Sequence, residues 1–393
     1  MKMIKTPIAL LALLFLSTGL NAQTISKGEL GGGLNSIQTA VPFLTIAPDS
    51  RGGSMGDVGA ATTPDVNSQY WNPAKYAFMD NEIGVSLTYT PWLRNLIDDI
   101  NLTYVAGYYR FSPEQTVSAS IRYFSFGDIT FTNDAGGVVK KFNPNEFSLD
   151  VGYSRLFGKY ISGAIAFRYI RSDLTGGYSN SGESSAGQAY AADIAAYYQQ
   201  PVMIGDKKGE MAFGANISNI GTKLSYNQDQ KKDFIPMNLK LGGRATTFID
   251  QYNKVSLAID FNKLLVPTPP LYDVDGNIVK GKDNDISVTK AIFQSFYDAP
   301  DGMSEEAKEI AYSIGAEYVY ANQFAVRTGY FHESEMKGNR KYYTFGAGLK
   351  YNYFNLDFAY LIPSSGRNNP MANTVRFSLI FEMGSKGISK NRR

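Results

Sequence analysis

Cysteine is absent from the 393 residues, histidine occurs once, and charged residues make up only 19% of the chain. Without cysteine there is no disulfide framework, no thiolate metal site and no lipoprotein anchor. With His332 as the only histidine, a multi-histidine metal site or a Cys–His pair cannot be assembled within one chain. No Gly-x-Ser-x-Gly elbow occurs, so a serine hydrolase would have to recruit His332, which sits among Glu333 and Glu335 in a polar stretch. Long apolar runs are missing too: nothing after the N-terminus approaches the roughly 18 consecutive apolar residues of a membrane-spanning helix. The formal net charge of +2 falls to about zero once Lys2 and Lys5 are set aside, and this argues against a nucleic-acid partner.

What is abundant is aromatic residues, at 13% with 27 Tyr and 24 Phe, and glycine, at 38 residues. Mean hydropathy is slightly negative. A membrane barrel hides its apolar residues by alternation, so this value does not exclude one. The N-terminus reads as a secretory signal over residues 1–22: Lys2 and Lys5, then the short apolar core from Ile8 to Leu16, then Asn21-Ala22 ahead of Gln23.

From Glu82 onward one pattern recurs, in segments of about ten residues with an apolar or aromatic side chain at every second position. Ile83, Val85, Leu87 and Tyr89 alternate with Gly84, Ser86 and Thr88. Val255, Leu257, Ile259 and Phe261 alternate with Ser256, Ala258, Asp260 and Asn262. A period of two places the sets on opposite faces of a strand. The second face is mostly Gly, Ser, Ala and Thr with isolated charges such as Asp150, Arg168, Asp193, Arg244, Glu317 and Arg327. That suits a crowded, wet lumen; a soluble surface would carry denser Lys and Glu. Repeated Tyr and Phe at segment ends fit interfacial girdles.

About fourteen such segments span 82–383, near 82–90, 100–111, 115–126, 145–156, 160–172, 187–200, 209–219, 237–248, 253–264, 310–320, 322–331, 342–351, 353–362 and 373–383. The connections between them alternate long and short, as in outer-membrane barrels with short periplasmic turns and long outer loops. The expected fold is therefore all-β: a transmembrane outer-membrane β-barrel of about fourteen antiparallel strands. The alternative is a secreted soluble β-protein. Residues 384–393 form a short basic tail.

Residues 23–81 break the strand pattern with Gly31-Gly32-Gly33, Arg51-Gly52-Gly53, Pro48, Pro64 and Pro73, yet they keep Phe43, Leu44, Ile46, Trp71, Tyr76 and Phe78. This composition is foldable, and a barrel of this size has a lumen to fill. A plug inside the lumen is expected, with a periplasmic extension as the alternative. Arg51 and Asp57 could pair inside that lumen or stay solvated.

The stretch from Phe43 through Ser50-Arg51-Gly52-Gly53-Ser54-Met55-Gly56-Asp57 to Thr62, continued by Pro64 to Phe78, resembles the N-terminal region of the PorV family. Members of that family are outer-membrane proteins of the type IX secretion system of Bacteroidetes. Asn72-Pro73-Ala74 is similar to the hatch motif of the FadL family of fourteen-stranded transporters. Pro73 fixes φ and biases Asn72 toward extended geometry, which makes a kinked link into the first strand; the other reading of the motif is simple packing.

The longest connection, Leu265 to Glu309, holds a stiff Pro267-Thr268-Pro269-Pro270 and a helical stretch from Ser287 to Tyr297 with Val288, Ile292 and Phe296 on one face. A second helical turn begins at Ser304. Long structured loops are often functional, so Val288, Ile292, Phe293 and Phe296 are candidate partner-binding residues; capping of the barrel mouth is the alternative. Asp273-Val274-Asp275-Gly276-Asn277 has a faint calcium-loop look but lacks the downstream glutamate, and reads better as a turn.

The family resemblance implies a non-enzymatic secretion component without cofactor or metal. It would bind the C-terminal sorting domains of secreted cargo, working with translocon and attachment-complex proteins and surrounded by outer-membrane lipid. A FadL-like carrier of hydrophobic small molecules is the alternative. An enzyme acting on surface lipopolysaccharide is a third reading, for which no nucleophile motif is present.

Overall fold

The computed structural model describes residues 35–93, 99–132, 137–177, 185–226, 232–364, 371–372 and 374–384. The expected signal segment, 1–22, and nearly all of the expected basic tail lie outside them.

Fourteen antiparallel strands close into a barrel. They are β1 (Ile83–Pro91), β2 (Asn101–Arg110), β3 (Gln115–Ser125), β4 (Asn145–Phe157), β5 (Ile161–Asp173), β6 (Gly187–Ile204) and β7 (Lys207–Gly221). The second half holds β8 (Asn238–Phe248), β9 (Asn253–Leu264), β10 (Ala311–Tyr320), β11 (Phe324–His332), β12 (Lys341–Tyr351), β13 (Phe354–Pro363) and β14 (Val375–Met383). Each strand pairs with its sequence neighbour, and β14 returns to β1 with Ile83 opposite Met383 and Tyr89 opposite Phe377. Closure leaves no sheet edge, which a lipid environment requires, because unpaired backbone groups there cost several kcal/mol each.

The alternation holds in three dimensions. On β1, Val85 and Leu87 are 47% and 49% exposed on the outer face, while Ser86 and Thr88 point inward and are buried. The same apolar outer set runs around the wall through Leu149, Phe167, Phe213, Leu257, Val326, Leu356 and Leu379. A continuous apolar surface on a closed barrel is a lipid-facing surface.

The expected strands match closely except at β6 and β7, which run past residues 200 and 209 to a tight turn at Gly205-Asp206. The apolar period fades at Gln199-Gln200-Pro201, but the hairpin continues because its ladder remains fully paired there. This hairpin also carries a bulge between Ala192 and Ile194, where the Asp193 carboxylate accepts the N–H of Asn219. The connections sort as expected. One end has the short turns at 111–114, 158–160, 205–206, 249–252, 321–323 and 352–353, and the other has every long connection. Small hairpins (Ile129–Thr132 with Val138–Phe142, and Leu271–Tyr272 with Ile278–Lys280) stiffen two of the long ones.

The N-terminal segment packs against the inner face of this wall. It consists of single helical turns at Pro42–Thr45, Ser50–Gly53, Ser68–Trp71 and Pro73–Phe78, joined by irregular chain. Glycine explains how irregular backbone approaches a strand so closely. A side chain at Gly329 would overlap the backbone of Met55 and Gly56, and one at Gly214 would overlap the carbonyl of Ala60. The small inner face is thus a fitted seat for chain.

Candidate functional site

Asn72, Pro73 and Ala74 lie side by side at the junction of two helical turns. Asn72 is extended at φ −166°, ψ 98°, and its Oδ1 accepts the N–H of Ala74 at 3.0 Å, capping the turn that Pro73 begins. Its Nδ2 donates to the carbonyls of Ala60 (3.0 Å) and of Ala196 on β6 (2.9 Å). Ser162 on β5 donates to the carbonyl of Ala74 at 2.6 Å. The tripeptide therefore ties the segment both to itself and to the wall. Trp71, the residue before it, is buried with Nε1 donating to Asp49 at 2.6 Å, and its ring fills space that a side chain at Gly52 or Gly59 would occupy.

Charges in the lumen are paired in networks. Arg51 neither pairs with Asp57 nor stays solvated, the two readings its position left open; it reaches Asp65 at 2.8 Å and Glu317 on β10 at 2.9 Å. Glu317 also binds Arg327 (2.7 Å), which reaches Asp357 at 2.6 Å. Asp57 instead accepts from the hydroxyl of Tyr342 at 2.5 Å and lies 4.0 Å from Arg376. On the opposite wall Arg168 joins Asp150, Asp193 and Asn219. The backbone N–H groups of Gly59 and Ala60 both donate to Asp260 on β9. All six inward charges expected from the alternation are buried or nearly so, and each has a partner.

The connection from β9 to β10 carries the two helices α1 (Val288–Gln294) and α2 (Met303–Lys308). Ser287 caps α1, and Ala291 is buried with Val288 and Ile292 packed beside the cluster of Phe234, Met237, Leu265, Val266 and Ile286. The expected apolar face is only half right. Val288 and Ile292 face inward, whereas Phe296 lies past the end of the helix and is 44% exposed, and Phe293 is 66% exposed. The chain leaves the helix at Ser295, so the 3.6-residue period no longer governs Phe296.

Buried ion pairs anchor α2. Lys263 at the end of β9 binds Glu306 at 2.9 Å and Glu309 at 2.6 Å, and Lys337 binds Glu305 at 2.6 Å and Glu309 at 2.9 Å. Asn35 of the N-terminal segment also donates to Glu305, at 3.0 Å. Glu306 accepts the N–H groups of Asp298 and Ala299. Burial, reinforced by the charges of Glu306 and Glu309, pushes the Asp298 carboxyl up to about 6. The Asp273–Asn277 stretch is a turn: Asp273 accepts the N–H groups of Asp275 and Asn277, and Gly276 has φ 81°. Among the described residues no group of three or more His, Cys, Asp or Glu side chains is placed to hold a metal. His332 stacks on Tyr312 at 4.7 Å.

At the long-loop end, a cavity of about 120 Å³ separates the N-terminal segment from the wall. Leu44, Asp57, Tyr70 and Trp71 form its floor, Lys240 and Asn262 its side, and Glu309, Glu333 and Arg340 its rim. Lys240 was not singled out in the sequence, although it shares the inward parity of Arg244 on β8, and that parity is the signal that finds it.

The sequence model of the family described as type IX secretion system protein PorV matches residues 32–271. No curated protein sequence matches the chain. Solved structures similar to it include the Pseudomonas putida toluene transporter TodX, with a TM-score of 0.45 and 10% identity over 88% of this chain and 98% of that one. They also include the Ralstonia pickettii toluene transporter TbuX (TM-score 0.41, 11% identity, 89% and 99% covered). A Pseudomonas aeruginosa FadL homologue is similar at a TM-score of 0.43 and 10% identity, with 88% and 99% covered.

Proposed function

The chain belongs to the type IX secretion system protein PorV family, and from that premise we propose that this outer-membrane barrel is a non-enzymatic carrier of secreted cargo. It binds the C-terminal sorting domain of a cargo protein and passes that protein from the translocon to the surface attachment complex. With an even strand number and both barrel ends on the short-turn side, the long connections face the cell exterior. Residues 23–81 act as a plug, with Asn72-Pro73-Ala74 as its hatch motif, tied to the wall through Ala196 and Ser162.

The observation that carries this reading is the insertion between β9 and β10. Phe293, Phe296, Tyr297 and Met303 are exposed on a connection whose base is locked by the Lys263 and Lys337 ion pairs. Exposed apolar side chains on a rigidly held element suit a protein partner. Val288 and Ile292 hold α1 in place beneath that surface. A FadL-like carrier calls for an apolar pocket between plug and wall. The cavity there has Asp57, Lys240, Glu309, Glu333 and Arg340 in its lining, so no observation favours that second reading.

The test is a pull-down on an immobilised cargo sorting domain, comparing the intact protein with one lacking residues 266–308. Retention of the intact protein and loss of the deletion variant is the expected result. Cargo still processed and surface-anchored in cells without the protein would sink the proposal.

A further inference from the structure

At the short-turn end the β6–β7 hairpin stands clear of the wall. Its ladder to β5 stops at Ile161 opposite Tyr198 and its ladder to β8 at Gly209 opposite Thr247, while β6 and β7 stay paired out to Ile204 opposite Lys207. The inward face of this tip continues onto β8 and β9. Met203 lies opposite Lys208, Phe248 lies opposite Lys254, and Lys208 meets Phe248 one step past the last β7–β8 pair. These side chains form a row across four strands, apolar and basic in turn. An open groove of about 1010 Å³ runs along it, with Tyr252 and Asn322 also in the lining. Met203 is 63% exposed and Phe248 42%. Lipid covers outward-facing side chains, and these two share the inward parity of Glu210 and Arg244, so they face water at the barrel mouth. An exposed apolar patch in that place marks a docking surface.

The charges say what covers it. Lys207, Lys208 and Lys254 line the groove against Asp206 and Asp250, a net positive surface. Asp250 is taken up by the N–H groups of Tyr252 and Asn253 in its own turn. Glu317 and Glu210 act on Lys254 from the lumen, but both are bound to arginines, Glu317 to Arg51 and Arg327 and Glu210 to Arg244. Two occupants do not fit. An added strand meets a blunted edge on β6: Gln199 gives its N–H to Tyr160, and the next residue facing that edge is Pro201, which has none to give. The chain's own tail carries Lys386, Lys390, Arg392 and Arg393 and no acid, so the row repels it. The geometry points to an acidic amphipathic α-helix, presented by a partner on the periplasmic side, as the occupant of this groove. Neighbouring strands lie about 4.8 Å apart, which is the step at which the row alternates. A helix rises about 5.4 Å per turn, so one face can offer an apolar side chain, a carboxylate a turn later, and an apolar side chain again. Apolar residues seven apart rest on Met203 and Phe248, and the acids between them meet Lys208 and Lys254. The periplasmic side follows from the orientation proposed above; where cargo docks does not enter.

The experiment uses the purified full-length protein in nanodiscs of zwitterionic lipid, with empty discs subtracted. The probe is a fluorescein-labelled peptide of three heptads, with Leu at the first position, Glu at the fourth and Ala or Gln elsewhere. One twin carries Lys in place of Glu, and a second carries Pro in the middle heptad, which breaks the helix. Fluorescence anisotropy is followed during titration with protein. Saturable binding of the acidic peptide is the expected result, with both twins weaker by roughly tenfold or more. Lys208→Glu should reverse the preference between the acidic and basic peptides, and Met203→Ser should weaken both. Equal binding of the acidic and basic peptides, equal binding of the proline peptide, no saturable binding, or an unchanged preference in Lys208→Glu would overturn the inference. Both substitutions alter exposed side chains at the hairpin tip. A wild-type protein that does not tell the acidic from the basic peptide overturns the inference whether or not the variants fold.

Discussion

The plug and the β9–β10 insertion are both irregular chain held by buried ion pairs, but they end differently. In the plug, the polar groups and the aromatic side chains both turn toward the wall. Arg51 is bound to Glu317, Asn72 to Ala196, and Trp71 is buried between glycines. The insertion is locked through Glu305, Glu306 and Glu309 and through the packing of Val288, Ala291 and Ile292, while Phe293, Phe296 and Met303 are left exposed. A segment whose side chains are turned inside the barrel is a structural filler, and one that retains an apolar surface on a fixed base is poised to bind.

This contrast can be broken at several points. Glu317→Ala is expected to have the largest effect. It removes one of two carboxylate partners from both Arg51 and Arg327, which keep Asp65 and Asp357; breaking a buried pair outright costs roughly 3–5 kcal/mol, and the loss here approaches the lower end of that range. Urea unfolding of the reconstituted barrel would show this as a lowered midpoint, and an unchanged midpoint would mean that the plug is not energetically tied to β10. Gly329→Val comes next: a branched side chain there meets the Met55 backbone, and overpacking costs typically about 1–3 kcal/mol. The same assay reads it, and a variant as stable as the parent would show that the plug seats elsewhere.

Asp298 gives a smaller, pH-dependent effect within the insertion. Its carboxyl is raised in the folded chain to about 6 from an ordinary 3.8, so between those values the folded state binds more protons than the unfolded state. Its contribution to stability is therefore greatest at low pH, declines as pH rises through the window, and is lowest above about 6. Limited proteolysis should nick the native insertion faster than Asp298→Asn at about pH 7.5, with the difference closing at about pH 5. Equal rates at both pH values would show that neither burial nor the Glu306 and Glu309 charges raise this carboxyl in the folded chain.

The barrel was legible because one rule, a period of two with the apolar set outward, governs every strand from β1 to β14. The rule weakens where side chains stop facing lipid, which is why the β6–β7 hairpin beyond Gln199 looked like a loop. Partners across the lumen follow no local period. Arg51 finds Glu317, 266 positions away, in place of the nearby Asp57, because the fold and not the spacing sets that distance. Phe296 was misassigned for a related reason: a helical period continues on paper after the helix has ended at Gln294. Lys240 lay in plain view on the inward face of β8, and only its position over the Trp71 ring, a three-dimensional fact, sets it apart from Arg244, which is paired with Glu210.

The smallest effect expected on stability and the largest on binding belong to the same change. A Phe293→Ser, Phe296→Ser double variant alters exposed side chains and removes one ring contact, that of Phe296 over the Lys263 ammonium at 5.7 Å, so its stability should fall by no more than about 1 kcal/mol. Its retention on an immobilised cargo sorting domain, measured beside the intact protein, tests the account most directly. A loss of about tenfold or more in affinity, some 1.4 kcal/mol, with the barrel intact is the predicted result. Undiminished retention of the double variant would contradict it and move the binding surface away from the insertion.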